Sequence, residues 1–172
     1  LDHECVGENA YLNIIRHASR YVYIFTPYLI IDNEMMEALC LAAKSGVDIR
    51  IVTPGIPDKK IVYMLTKSYY PQLLEAGVRI YHYTPGFIHA KCYVCDDEVG
   101  VVGTINMDYR SLYLHFECGT YIYNSKAIAD LKKDFFDTFE ISEEVHEKDR
   151  PKKVSLITMT FKAILRLFAP LM

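Results

Sequence analysis

Gly46-Val47-Asp48-Ile49-Arg50-Ile51-Val52-Thr53-Pro54-Gly55 and Gly77-Val78-Arg79-Ile80-Tyr81-His82-Tyr83-Thr84-Pro85-Gly86 are one unit written twice, 31 residues apart. Each copy is a glycine, a β-branched and aromatic run, and a Thr-Pro-Gly stop, which is the signature of a strand with a turn behind it. Tyr21-Val22-Tyr23-Ile24-Phe25, ending in Thr26-Pro27, is a shorter copy. Helical stretches lie between the copies. Met36, Leu39, Cys40 and Ala43 fall on one face, with Asn33 expected as N-cap and Gly46 as the stop. Ile61 to Tyr69 and Gln72 to Ala76 also read as helix, with a break expected at Pro71. Alternation of this kind predicts parallel strands joined by right-handed crossovers, with all the Thr-Pro ends at one carboxyl edge. Open α/β sheets bind their ligands at that edge.

Downstream of the repeat the connection Gly86-Phe87-Ile88 is too short for a crossover, so the next strand is expected to run antiparallel to its predecessor. It would carry His89 and Lys91 away from the functional edge. Val99-Gly100-Val101-Val102 and Phe116 to Tyr123 read as further strands. Ile128, Leu131, Phe135 and Phe139 form the apolar stripe of a covering helix. The fold class expected is α/β, a mixed β-sheet with helices on both faces.

The totals fit one domain: 172 residues, 51% apolar and 24% charged. Five scattered cysteines form no disulfide framework, which favours a reducing compartment. Cys92 and Cys95 are spaced like a redox pair, but three residues along a strand would put the thiols on opposite faces. No apolar run is long enough to span a membrane, and Leu1-Asp2-His3-Glu4 does not read as a signal peptide. A start without Met suggests a piece of something longer. Charge is uneven. Residues 148–172 carry six basic residues and one acid, which leaves −8 on residues 1–147 out of a total of −3. Such an acidic body is a poor dock for nucleic acid, so no nucleic-acid partner is expected.

The chemistry lies in His89, Lys91, Asp96, Gly103, Thr104 and Asn106, a string H-x-K-x4-D-x6-G-T-x-N. By chance it would arise on the order of once in 10⁵ chains of this length. On a strand His89 and Lys91 share a face, so an imidazole and an ammonium converge on one anion. A neutral imidazole can attack phosphorus, and Lys91 can neutralise the transition state. Asn106 offers amide donors, Thr104 a hydroxyl, and Gly103 would let the backbone come close. Asp96 lies roughly 23 Å along an extended chain from His89, so a structural role at the turn is expected. Glu117 is the expected carboxylate orienting the His89 ring. His3, His17, His82, His115 and His146 read as ordinary, while Tyr28, beside its Thr-Pro end, is a candidate for the pocket lining. No metal-ligand spacing is present, so a metal-free, cofactor-free covalent mechanism is expected.

This string resembles that of the phospholipase D superfamily. With Tyr83 to Lys91, Gly103 to Leu112, Phe116-Glu117, Thr53 to Lys60 and Leu165 to Met172, the chain looks more narrowly like a bacterial cardiolipin synthase. The resemblance implies a carboxyl-terminal catalytic half over residues 1–147. An amino-terminal membrane anchor and a first catalytic half would precede it. Two H-x-K motifs then build one site, in which one His attacks phosphorus and the other protonates the leaving alcohol; which role His89 takes stays open. His89, Lys91, Asn106 and Glu117 would be catalytic, Asp96 part of the motif, and Thr104 and Gly103 substrate-binding. The implied reaction joins two phosphatidylglycerols into cardiolipin and releases glycerol at the bacterial membrane, on its cytoplasmic face. Expected partners are phosphatidylglycerol, the membrane surface, and the first half or a second copy. Rival readings are a homodimeric nuclease of the same superfamily and a non-catalytic lipid-binding half. Residues 148–172 read as a basic amphipathic helix that either lies on anionic lipid or docks on the domain.

Overall fold

The structure, a computed structural model, describes residues 4–146. A seven-stranded mixed sheet has the order β8-β6-β5-β1-β3-β4-β9. Its parallel centre is β1 (Tyr21–Phe25), β3 (Asp48–Pro54) and β4 (Arg79–Tyr83), the repeated units of the sequence. Helices α2 (Asn33–Lys44) and α3 (Lys60–Glu75) make the crossovers. Together with α1 (Val6–His17), which the sequence reading did not identify, they cover one face. Helix α4 (Ala127–Glu140) covers the other, where Phe135 stacks on Phe25 with ring centroids 3.7 Å apart. The α/β class with helices on both faces is therefore the observed one. Among the described residues no helix is long and apolar enough to cross a membrane. The expected tail helix lies outside the described residues.

Several local expectations change. Helix α3 runs through Pro71 unbroken. The proline removes one amide donor, but Leu65, Tyr69, Tyr70 and Leu73 keep a continuous buried stripe across it. The cap of α2 is Asp32, not Asn33. Asp32 is extended and its Oδ1 accepts from the Met35 amide at 2.8 Å. Asn33 instead reaches Glu37 at 2.9 Å. Strand β5 (Cys92–Cys95) begins just after Lys91, so His89 and Lys91 stand in its extended approach. It does run opposite to β4, but it pairs with β1 and β6 (Val99–Gly103). Residues 84–91 thus travel along the carboxyl edge, past the ends of β3 and β1. Strand β8 (Gly119–Tyr123) starts later than expected, because its ladder with β6 ends at the Gly103–Gly119 pair; before it Arg110–Leu114 forms a π-helical turn, closed by the His115 amide on the Arg110 carbonyl at 2.8 Å. A short parallel pair, β2 (Leu29–Ile30) with β7 (Met107–Asp108), ties that turn to the end of β1. Strand β9 (Ser142–Val145) closes the far edge on β4.

Asp96 sits in the β5–β6 turn, at the sheet edge opposite His89. It and Asp97 both adopt positive φ, 52° and 63°. Its carboxylate accepts from Ser19 N (2.6 Å), Ser19 Oγ (2.9 Å), Arg20 N (2.9 Å) and Tyr21 N (2.8 Å). It therefore fastens the start of β1 to the turn. Burial works to raise its pKa, but these donors outweigh burial and hold it below the usual carboxylate range. Stabilisation from a depressed carboxylate is present above the unfolded pKa near 4 and is lost as pH falls through the folded value. Asp96→Asn should cost about 2 kcal/mol at neutral pH and show a flatter acid limb in urea unfolding between neutral pH and about pH 3. An equal loss at both ends of that range would contradict the assignment.

Candidate active site

Ile88 and Ala90 pack toward the α4 face, which turns His89 and Lys91 to the other side. Lys91 is buried, 7% exposed, and its Nζ donates to the His89 carbonyl at 2.7 Å. The His89 ring is exposed and stacks on Phe87, with centroids 5.8 Å apart. Burial lowers the His89 pKa, Lys91 lowers it further, and Asp58 opposes both. The net effect favours the uncharged ring, the form that carries a free lone pair. Burial also lowers the Lys91 pKa, while Glu117 and Asp108 act to keep its charge.

The other expected residues take more varied places. Thr104 follows β6, where its amide donates to the Cys118 carbonyl at 2.8 Å and its hydroxyl accepts from the Cys118 amide at 3.0 Å. Because residues 116–118 lie alongside it, the Glu117 carboxylate comes down on the Thr104 hydroxyl, which donates to Oε2. Its Oε1 is 3.7 Å from His115 Nδ1. The expected Glu117–His89 contact is not made; Glu117 serves Thr104 and the field at Lys91. Gly103 also differs from expectation. A Cβ there would overlap the Cys118 carbonyl and lie 2.6 Å from Gly119 Cα, so the backbone brought close is that of β8, not a substrate. Asn106 commits its amide nitrogen to Ser111 Oγ at 3.0 Å, and its Oδ1 is buried without a partner.

Sequence reasoning named Tyr28 and Asn106 but missed the rest of the wall around this edge. A cavity of about 230 Å³ is lined by Tyr28, Lys59, Asn106, Asp108, Arg110 and His115, among others. Tyr28, expected beside the pocket, donates to Asp58 at 2.5 Å. Asp108 is 6% exposed; burial raises its pKa, and the Ser111 amide, donating at 2.8 Å, opposes that. His115 is no ordinary surface histidine, since its Nε2 accepts from Arg110 Nε at 3.2 Å. The signal available in sequence was the unbroken Asn106-to-Ser111 run. What it hid was the π-turn that folds Arg110 and His115 back together.

The remaining groups are structural. Thr26 Oγ accepts from the Met107 amide at 3.1 Å, and Thr53 shares a 2.7 Å bond with Tyr70, so these Thr-Pro ends brace the edge instead of lining it. His82 is half-buried, and burial pushes its pKa down to about 4. Cys92 and Cys95 belong to cores on opposite faces, and burial pushes their thiols up to about 11 and about 12. The sequence showed no metal spacing, yet folding brings Glu8, Asp32 and Glu34 together. Tyr113 donates into Glu8 and Asp32, and Arg16 pairs with Glu34 at 2.7 Å, which accounts for the grouping.

Residues 11–138 match the family described as cardiolipin synthase, PLD-like domain. The chain is 52% identical over its whole length to an uncharacterized protein of Streptococcus mutans, covering 37% of that protein. It is 39% identical to cardiolipin synthase 2 of Bacillus anthracis over 96% of the chain and 32% of the relative. For a cardiolipin synthase of Clostridium perfringens the identity is 42%, over 96% and 34%. The chain thus spans about a third of the length of these relatives. In fold it is similar to Nuc, a phospholipase D family member from Salmonella typhimurium, with TM-score 0.72 and 18% identity over 81% of this chain and 91% of that one. Phosphatidylserine synthase of Haemophilus influenzae superposes with TM-score 0.70 and 14% identity, over 95% and 42%.

The downward shift at His89, set first by burial and then by Lys91, can be read directly. An NMR titration of His89 should give a midpoint below the ordinary value near 6.5. Lys91→Met should move it upward, because removing a neighbouring cation favours imidazolium. A midpoint that stays fixed or falls would refute the arrangement.

Proposed function

The chain belongs to the PLD-like domain family of cardiolipin synthases, and from that premise we propose that it supplies one of two H-x-K motifs to a phosphatidyltransferase. The observation that carries this reading is the exposed His89 ring held beside the buried Lys91 side chain at the carboxyl edge. A histidine attacks the phosphorus of one phosphatidylglycerol. The bond to its glycerol headgroup breaks, and that oxygen takes a proton from the second histidine. The hydroxyl of another phosphatidylglycerol then attacks the phosphohistidine and gives its proton to the second histidine; the P–N bond breaks, giving cardiolipin and restoring the free imidazole. One diester is broken and one formed, so the exchange needs no outside energy source. Lys91 neutralises the phosphoryl oxygens as charge develops on them.

One imidazole cannot be nucleophile and acid in the same in-line displacement, so a second motif is required, from a first half or a second copy. The ring of Phe116, 90% exposed beside Glu117, gives such a partner an apolar foothold. Residues 148–172, with their net positive charge, act as a separate basic segment that holds the catalytic half on anionic lipid. The acidic balance of residues 1–147 disfavours a nucleic-acid backbone as the substrate.

Membranes carrying the complete polypeptide, given phosphatidylglycerol, should yield cardiolipin and free glycerol in equal amounts. His89→Ala should reduce that turnover by about 10³-fold or more. Wild-type rates in the variant would remove the assignment.

A further inference from the structure

Transfer to a second phosphatidylglycerol differs from transfer to water or a simple alcohol in one respect. The acceptor carries its own phosphodiester, one glycerol away from the attacking hydroxyl. A site that selects it needs fixed positive charge beside the His89–Lys91 pair, not within it. Lys59 and Arg110 answer that description, since both line the cavity next to Tyr28 and Asp108. The cavity lies at the same carboxyl edge as the pair: Tyr28 follows the end of β1, and between the lining residues Asn106 and Asp108 the Met107 amide donates to Thr26 Oγ at 3.1 Å.

The state of the two cations is informative. Arg16, Arg20, Arg50 and Arg79 each pair with a carboxylate. Among the described residues Arg110 does not; its Nε donates to His115, and no protein acid takes the rest of the guanidinium. Lys59 likewise has no carboxylate on its ammonium. The nearest acids are engaged elsewhere. Asp58 accepts from the Tyr28 hydroxyl at 2.5 Å and the Lys59 amide at 2.6 Å, and Asp108 is buried beneath the Ser111 amide. Helix α3 also begins here with no acid in its first turn, so its N-terminal partial charge adds to the same sign. A volume of about 230 Å³ falls below the range that holds drug-sized ligands and suits a headgroup, not an acyl chain.

Resting on the phosphatidyl-transfer reading, we infer that the Lys59–Arg110 cavity binds the phosphodiester of the acceptor lipid, whose glycerol hydroxyl receives the phosphatidyl group. Its positive wall also disfavours acceptors that bear an ammonium group.

Phosphatidylglycerol micelles containing labelled glycerol test this, because a single phosphohistidine then partitions between two acceptors. Attack by a lipid gives cardiolipin; attack by glycerol gives labelled phosphatidylglycerol. In the complete polypeptide, Lys59→Gln with Arg110→Gln should lower the ratio of cardiolipin to labelled phosphatidylglycerol at least about tenfold, as expected for loss of charge-assisted contacts to an anion. Arg110→Lys with Lys59 intact should recover part of it. An unchanged ratio, with or without a fall in both products, overturns the inference. If the wild type forms neither product, the transfer reading fails instead, and a second readout still decides the site. Calorimetry with glycerol 3-phosphate should count one more bound equivalent in the wild type than in the double variant, and equal counts would discard the cavity as an anion site. Both side chains are exposed, so the variants are expected to fold, with matching circular dichroism as the control.

Discussion

Strand β5 enters the middle of the sheet against the direction of its neighbour β1, and the candidate site depends on that constraint. The chain leaves β4 at the carboxyl edge and must still pass β3 and β1 before it can pair. Residues 84–91 span those ends without leaving the edge. The last of them, His89 and Lys91, are therefore delivered where open α/β sheets collect ligands. Had β5 paired beside β4, the same residues would stand at the margin of the sheet. Burial of Lys91 follows from the same placement, since the Gly103 amide pairs with its carbonyl at 3.1 Å and draws it in beside β6.

The other end of β5 is held with equal care. Asp96 gathers donors from Ser19, Arg20 and Tyr21, so the start of β1 and the turn after β5 are one hydrogen-bonded unit. The Asp of the motif thus fixes the register of the strand whose approach carries the His and the Lys. Residues of one motif act at opposite edges of the sheet. A short rigid strand transmits the anchoring from one to the other.

Much of this was legible because its signals are local. Glycine, β-branched run and Thr-Pro stop lie within ten residues of one another, so β1, β3, β4 and their parallel order could be read directly. The stripe of α4 and the divergent thiols of Cys92 and Cys95 follow from periodicity alone. The rest depends on pairing between distant segments. Which strands flank β5 is set by contacts 70 or so residues apart, as in the pairing of Val22 with Cys95. The partner of Glu117 was misjudged because Cys118 is held on Thr104 through both its amide and its carbonyl, which lands the carboxylate on the Thr104 hydroxyl. Pro71 was overruled by the buried stripe on either side of it, a tertiary term stronger than one missing hydrogen bond.

Charge pairing is a further property that sequence cannot express. Nothing in the order of residues separates Arg110 from Arg79, which holds Glu144 with bonds of 2.8 and 2.9 Å. Folding supplies a carboxylate to one and withholds it from the other. Among the described residues that guanidinium has no acid to use its charge, and under the proposed reading an anionic ligand in the cavity is the group that can use it. The buried Asp108 sharpens the contrast. It lies in the same wall, but its protein donors and its burial turn it inward to the Asn106–Ser111 turn. The positive side of the cavity is therefore exposed to a ligand, while the negative side is spent on holding the turn that presents Arg110.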